Sequence, residues 1–327
     1  MFEFDIIKNI SSAFKDLNPT NAKGIGDDCA VIPISETESF IVSTDMLNEN
    51  VHFLKDKISA QELGHKSLAV NLSDLAAMGA QPVASFLSLG LTKDCTEEWI
   101  NNFIKGYKNL SSEFNVPLLG GDTTRSDNTI SINVTVIGRM ENSKIKYRSA
   151  AEVGDLICVF DKLGNSAAGL NILLNKQNSG KYRELVKIHH NPIPKINEGT
   201  LLSEYSEVHA MMDLSDGIDS DLRHILKASG VGAIVNLDSV PVSETLTNYC
   251  KECSLNALET AVTSGEEYTL LFSIKPEIFE ELKEKLAKDH NKKLVAIGTI
   301  TKEKEQLEYR LNGKSYNLHQ QGFKHFN

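Results

Sequence analysis

Lys66-Ser67-Leu68-Ala69-Val70-Asn71-Leu72-Ser73-Asp74-Leu75-Ala76-Ala77-Met78-Gly79-Ala80 is the stretch on which the reading of this chain turns. Just upstream, Ser59-Ala60-Gln61-Glu62 has the pattern of a capping box, a hydroxyl at the N-cap and a carboxylate three residues on, so a helix begins there. Leu68, Leu72, Leu75, Ala76 and Gly79 recur at helical spacing as a narrow, small-residue face, and Ser67, Asn71 and Asp74 form a polar stripe beside it. An Asp in the later half of a helix has low propensity and faces the negative end of the dipole, so it needs a reason outside the helix. Alone, it reads as a partly exposed surface residue. Its company elsewhere in the chain supplies another reading.

With 327 residues, the chain exceeds what one core normally holds, so two domains are expected. Lys plus Arg number 34 against 44 Asp plus Glu, a net charge of −10. Nucleic acid and anionic membrane both demand a basic footprint, so neither is expected as a partner; the balance suits a protein that gathers cations. Met1-Phe2-Glu3-Phe4-Asp5 lacks the start of a signal peptide and no run approaches a membrane span, which predicts a cytoplasmic protein. Five scattered cysteines speak against a disulfide framework, and Cys250-Lys251-Glu252-Cys253 has no second thiol pair to make a zinc site.

Along the chain, one device recurs. Residues 2 to 17 carry Phe4, Ile7, Ile10, Phe14 and Leu17 at helical spacing. Gly24-Ile25-Gly26-Asp27-Asp28 then leads into the apolar run Cys29 to Ile32, placing two carboxylates at a loop-to-strand junction, although a plain turn uses the same residues. The strand Ser39 to Asp45 ends in Ser43, Thr44 and Asp45, and strand ends collect ligands. Pro82 to Leu91 reads as a buried strand and 96 to 114 as a helix with Trp99, Phe103, Tyr107 and Leu110 on one stripe. Val116 to Arg125 reads as a short strand running into a sharp glycine bend that hands over Asp122. Thr129 to Gly138 closes a first α/β domain, 1–147. In the second, 148–327, Arg148 sits in the connector, where a cation can meet an anion in an interdomain cleft. Gly164 to Leu174 starts a helix with no acid in its first turn, which predicts free amides for an anion. Val208 to Asp213 repeats the strand-to-carboxylate device with Asp213 and Asp216, while Asp219 or Asp221 reads as a cap of the next helix. Strands are expected at Thr269 to Ile274, Leu294 to Ile300 and Leu307 to Leu311, with a helix from Pro276 to Ala287.

Asp28, Asp45, Asp74, Asp122, Asp213 and Asp216 thus lie at strand exits or on a helix facing them. Unpaired carboxylates gathered in one place repel unless cations neutralise them, and oxygen-only ligands select Mg²⁺ or Mn²⁺ over zinc. That chemistry points to phosphoryl transfer from a nucleotide. Neither a Gly-x-x-x-x-Gly-Lys-Ser/Thr loop nor the protein-kinase loops are present, so a different kinase fold is required.

Together these residues carry a resemblance. Gly24 to Ala30, Ser43-Thr44-Asp45 with His52-Phe53, Lys66 to Pro82, Gly120 to Arg125, Arg148-Ser149-Ala150, Asp213 to Gly217, Gly265-Glu266 and the closing Gly322 to Phe326 resemble, in order and over nearly the whole chain, the thiamine-monophosphate kinases of the aminoimidazole ribonucleotide synthetase and selenophosphate synthetase superfamily. The resemblance implies that superfamily's two-domain α/β (α+β) fold, an N-terminal mixed sheet that pairs in a homodimer plus a C-terminal α/β domain. It also implies phosphorylation of thiamine monophosphate by ATP through direct in-line attack with several Mg²⁺ ions. Carried over by position, Asp28, Ser43, Thr44, Asp45, Asp74, Asp122, Asp213 and Asp216 would hold metal. Gly121, Asp122, Arg148, Ser215 and Tyr107 would contact ATP, and His52, Glu266 and Phe323 the thiamine phosphate.

Three departures bear on substrate contacts more than on metal. Asn50 stands where the family usually has Gly, Ser264-Gly265-Glu266-Glu267 replaces Gly-Gly-Glu-Asp, and Asn191 to Lys195 lacks the arginines usual around its prolines. Two other readings within the superfamily are a synthetase with a reactive cysteine and a maturation partner with a modifiable tail. Cys29 reads as packing on a buried strand, and the chain closes in aromatics.

Overall fold

The computed structural model describes residues 3–17, 19, 21–175 and 180–319. A first unit runs α1 (Glu3–Phe14), β1 (Ala30–Pro33), β2 (Glu38–Asn48), α2 (Ala60–Ala77), β3 (Gln81–Leu91), α3 (Glu97–Glu113), β4 (Leu118–Arg125) and β5 (Ser131–Glu141). Its sheet has the order β1-β2-β5-β3-β4, antiparallel except for the β3–β4 pair. The second unit runs β6 (Leu156–Phe160), α4 (Asn165–Leu174), α5 (Arg183–His190), α6 (Ile196–Ser203), β7 (Val208–Asp213), α7 (Ile218–Ser229), β8 (Gly232–Asn236), α8 (Glu244–Glu252), α9 (Ala257–Thr263), β9 (Leu270–Ile274), α10 (Phe279–His290), β10 (Leu294–Thr301), β11 (Leu307–Leu311) and β12 (Lys314–Tyr316). Its sheet is also mixed, ordered β12-β11-β8-β10-β6-β9-β7.

The helix α2 organises both. Ser59 caps it as its pattern predicts: the Glu62 N–H donates to Ser59 Oγ at 3.2 Å and the Ser59 N–H to Glu62 Oε2 at 3.1 Å. It lies on one face of the first sheet, carries α3 on its outer side, and meets α6 and β7 of the second unit. Leu63, Leu68, Leu72 and Leu75 are buried, each contributing about 1.5–3 kcal/mol. The polar stripe is buried too. Asn71 Nδ2 donates to Ser67 O at 3.0 Å and its Oδ1 accepts the Asp45 N–H at 3.0 Å, which locks α2 to β2.

Strand β2 alternates as a half-covered strand must. Ser39, Ile41, Ser43 and Leu47 turn toward α2 and are buried, whereas Phe40, Val42, Thr44 and Met46 face the other way. Ile32 and Met46 are 47% and 53% exposed there. Among the described residues, no element covers this second face of the sheet.

The expected glycine bend before Asp122 is corrected: Gly120, Gly121 and Asp122 lie within β4, paired with Phe86, Leu87 and Ser88. The glycines permit close approach, since a Cβ on Gly121 would stand 1.7 Å from Leu87 O.

Candidate active site

A cavity of about 890 Å³ opens between the two units, at the upper end of the range for small-molecule sites. Its lining includes Asp28, Ser43, Thr44, Asp45, His52, Asp74, Arg148, Asp213, Ser215, Asp216 and Glu266, every one of them a residue the sequence singled out. One carboxylate oxygen from each of Asp28, Asp74 and Asp213 lies within 4.8 Å of the others. The loop before β1, the helix α2 and the end of β7 deliver these three side chains.

Burial and mutual repulsion dominate the electrostatics here. Burial pushes Asp74 well above the ordinary carboxylate range, and Asp45, Asp213 and Asp28 raise it further, while the Ser43 hydroxyl donates to its Oδ2 and opposes the shift. Asp213 is pushed up to about 7 by burial and by Asp28, although the Ser73 hydroxyl donates to it. Burial raises Asp28 and Asp45 as well. A cluster of carboxylates that clings to protons is one that a divalent cation would relieve. The donor set is all oxygen, which fits Mg²⁺.

Arg148 partly answers this charge. Its Nη2 donates to Asp28 Oδ1 at 2.7 Å and its Nε to Asp28 Oδ2 at 3.1 Å, a bidentate pair. Its own N–H donates to Asp27 Oδ1 at 3.3 Å, and Ser229 Oγ donates to its carbonyl at 2.9 Å, so the interdomain connector is fastened on both sides. Asp27, the first carboxylate of that junction and given no site role from sequence, has a buried side chain that seats the arginine.

At another part of the cavity, Glu266 stands in the left-handed region at φ 59° and its N–H donates to Ser215 O at 2.7 Å. A Cβ on Gly265 would lie 2.0 Å from that same carbonyl, so the Asp213–Gly217 and Ser264–Tyr268 loops pack backbone on backbone. His52 accepts the Asn48 N–H on Nδ1 at 3.0 Å. The turn before it places Asn50 at φ 67°, a conformation Asn tolerates better than most residues, so the departure from Gly keeps the loop's shape.

Several expectations are corrected or displaced. The N-terminal amides of α4 are not free: Glu267, half-buried and pushed by desolvation up to about 8, accepts the Ser166 N–H at 3.2 Å. Neither Asp219 nor Asp221 is the N-cap of α7, which is Gly217; Asp221, inside the first turn, instead accepts the N–H groups of Asp216 and Gly217 at 3.0 Å each and so fixes the loop before the helix. Tyr107 is buried among Phe103 and Leu110 and does not line the cavity. Gly121 and Asp122 do not line it either. The register runs Asp45, Val134, Leu87, Gly121 across four strands, about 14 Å at ~4.8 Å per strand, and alternation puts Asp122 with Ser88 and Asn133 on the uncovered face. Within this chain Asp122 and Asp45 therefore face opposite sides of the sheet. The Thr44 hydroxyl is likewise engaged on that face, accepting from Thr135 Oγ1 at 2.9 Å. Phe323 lies outside the described residues.

Sequence reasoning assigned no role to Lys66 and His189, which also line the cavity. Lys66 could have been noticed, since it falls eight residues before Asp74 on one helical stripe. Cys29 is buried, and burial together with Asp74 and Asp28 pushes its thiol well up, so it is no nucleophile.

The AIR synthase related protein N-terminal domain matches residues 26–140 and the corresponding C-terminal domain residues 152–310. Thiamine-monophosphate kinase of Buchnera aphidicola (subsp. Acyrthosiphon pisum) is 38% identical over 329 residues, covering 99% of this chain and 98% of that protein. The enzyme of Haemophilus influenzae is 39% identical, covering 100% and 98%. The solved structure of AaThiL complexed with AMPPCP and TMP superposes with a TM-score of 0.84 at 29% identity, covering 99% of this chain and 97% of that one. With the two AIR synthase related domains in order and full-length identity to its members, this chain belongs to the thiamine-monophosphate kinase family.

Proposed function

We propose that this protein transfers the terminal phosphoryl group of ATP to thiamine monophosphate, giving ADP and thiamine diphosphate. The observation that carries the reading is the convergence of Asp28, Asp74 and Asp213, from both units, in a cavity large enough for phosphorylated ligands. Mg²⁺ bound there, with Asp45, Asp216, Ser43 and Thr44 nearby, would neutralise charge on the phosphates. Arg148 is placed to meet phosphate oxygens from the connector while Asp28 holds its guanidinium. Ser215 borders the same region as an ATP contact. His52 and Glu266 are the contacts for thiamine phosphate, and no side chain in the cavity needs to act as a covalent nucleophile.

The active form we propose is a homodimer closed over the uncovered face of the first sheet. The exposed Ile32 and Met46, and the half-exposed Phe40, Val42 and Phe86, support it. Such an arrangement gives Asp122 and Gly121 a role, because they would serve the cavity of the second copy. We place the protein in the cytoplasm with its nucleotide, and the boundary between its domains at 147/148. Among the described residues, no helix is long and apolar enough to cross a membrane. Incubating purified protein with Mg²⁺, ATP and thiamine monophosphate should yield ADP and thiamine diphosphate in equal amounts; ATP consumption with another acceptor and no diphosphate would overturn the reading.

A further inference from the structure

Lys66 lies on α2 two turns, about 12 Å, before Asp74. Its side chain is 1% exposed, and a lysine so buried requires a partner. That partner is Glu266, whose Oε1 is 3.0 Å from Lys66 Nζ. The other oxygen, Oε2, is 3.2 Å from Nδ1 of His189 on α5, itself buried and 3.1 Å from Ser166 Oγ on α4. Burial and the Lys66 charge push His189 down to about 2, so its ring is neutral, and its Nδ1 stands between Glu266 Oε2 and Ser166 Oγ. Glu266 remains 25% exposed toward the cavity. Its backbone is held in a left-handed conformation that costs a Glu about 1–2 kcal/mol, so its placement is set by its surroundings. A carboxylate has about four lone-pair sites. With Lys66 against one oxygen and His189 against the other, each oxygen keeps acceptor capacity for a ligand in the cavity that Glu266 lines.

We propose that Lys66 and His189 are positioning residues: they fix both oxygens of Glu266 as a pair of acceptors that reads N–H donors on the heteroaromatic ring of the substrate, and so set the preference for an amino- over an oxo-pyrimidine. The inference rests on the reading of thiamine monophosphate as substrate with Glu266 as its contact. Removing either support leaves the metal cluster untouched and frees the carboxylate to turn.

The test is steady-state kinetics of the full chain with thiamine monophosphate and with oxythiamine monophosphate, in which the ring amine is replaced by an oxo group. Wild type should favour the amino substrate by more than about tenfold in kcat/KM. Lys66→Met and His189→Leu should each raise KM for thiamine monophosphate about 10- to 100-fold, the range for a lost charged hydrogen bond, and collapse that preference. KM for ATP should stay within about twofold of wild type, and His189→Asn, which keeps a donor near the Nδ1 position, should retain most of the preference. If Lys66→Met fails to fold, His189→Leu decides by the same ratio. Variants that fold and keep the wild-type preference, or lose kcat with both KM values unchanged, overturn the inference. A wild-type protein inactive on thiamine monophosphate overturns the reaction instead, which keeps the two failures apart.

Discussion

Replacing Asp74 by Asn should make the metal-free protein more stable while abolishing turnover. Asn preserves the volume of the side chain and an oxygen for the Ser43 hydroxyl, so packing and that hydrogen bond survive. The change removes charge. With ligand oxygens of Asp28, Asp74 and Asp213 within 4.8 Å, each ionised pair repels by about 3.5 kcal/mol at an effective dielectric of ~20. The cluster escapes much of this by retaining protons, which is why burial and its neighbours hold Asp74 well above the ordinary range. At pH 8, a gain of about 1–2 kcal/mol is expected from the substitution, or roughly 2–8 °C in melting temperature. The assay is thermal melting with and without Mg²⁺, alongside thiamine diphosphate formation. Wild type should be stabilised by the cation and Asp74→Asn should not. A metal-free variant that melts below wild type, keeps the full Mg²⁺ shift, or retains near-normal turnover would refute the reasoning.

Three further predictions share the same structural basis. Asp213, pushed up to about 7, and Glu267, pushed up to about 8, bind protons in the folded state that the unfolded chain releases near pH 4, so metal-free stability should fall as pH rises from 5 to 8. Mg²⁺ competes with those protons at Asp213, so its stabilisation should grow over the same window; melts at fixed Mg²⁺ that show a constant shift would contradict this. Asp74→Asn and Asp122→Asn, each inactive alone, should recover about a quarter of wild-type activity when unfolded together and refolded, because only a site assembled from two copies leaves one intact pair in a mixed dimer; recovery of none places Asp122 in its own protomer's site. Asn50→Gly should be near neutral in melting temperature and KM, whereas Asn50→Val should cost about 1–2 kcal/mol at φ 67° and raise KM for thiamine monophosphate through His52.

Much of the architecture is legible in local patterns. The capping box at Ser59, the alternation of β2 and the stripe of α3 all depend on neighbours within four residues, and each lies where its periodicity places it. The elements that escape such reading are α5, α6, α8, α9, β8 and β12, helices of nine residues or fewer and strands of five or fewer. Elements so short carry too few turns or alternations to announce a period, and packing on the larger sheet stabilises them.

The sequence by itself determined the chemistry on offer in this protein: which carboxylates recur beside strands and on α2, that an oxygen-only donor set suits a hard cation, and which family's motifs appear in order. Only the tertiary structure decided which of those groups meet. It brought Asp28, Asp74 and Asp213 together, turned Asp122 to the opposite face of the sheet, filled the α4 N-terminus with Glu267, and joined Lys66 to Glu266. The physical reason is that side-chain identity and period are local properties. Desolvation and charge pairing depend instead on contacts between segments far apart in the chain, from 46 residues for Asp28 and Asp74 to 200 for Lys66 and Glu266, and no local pattern encodes these.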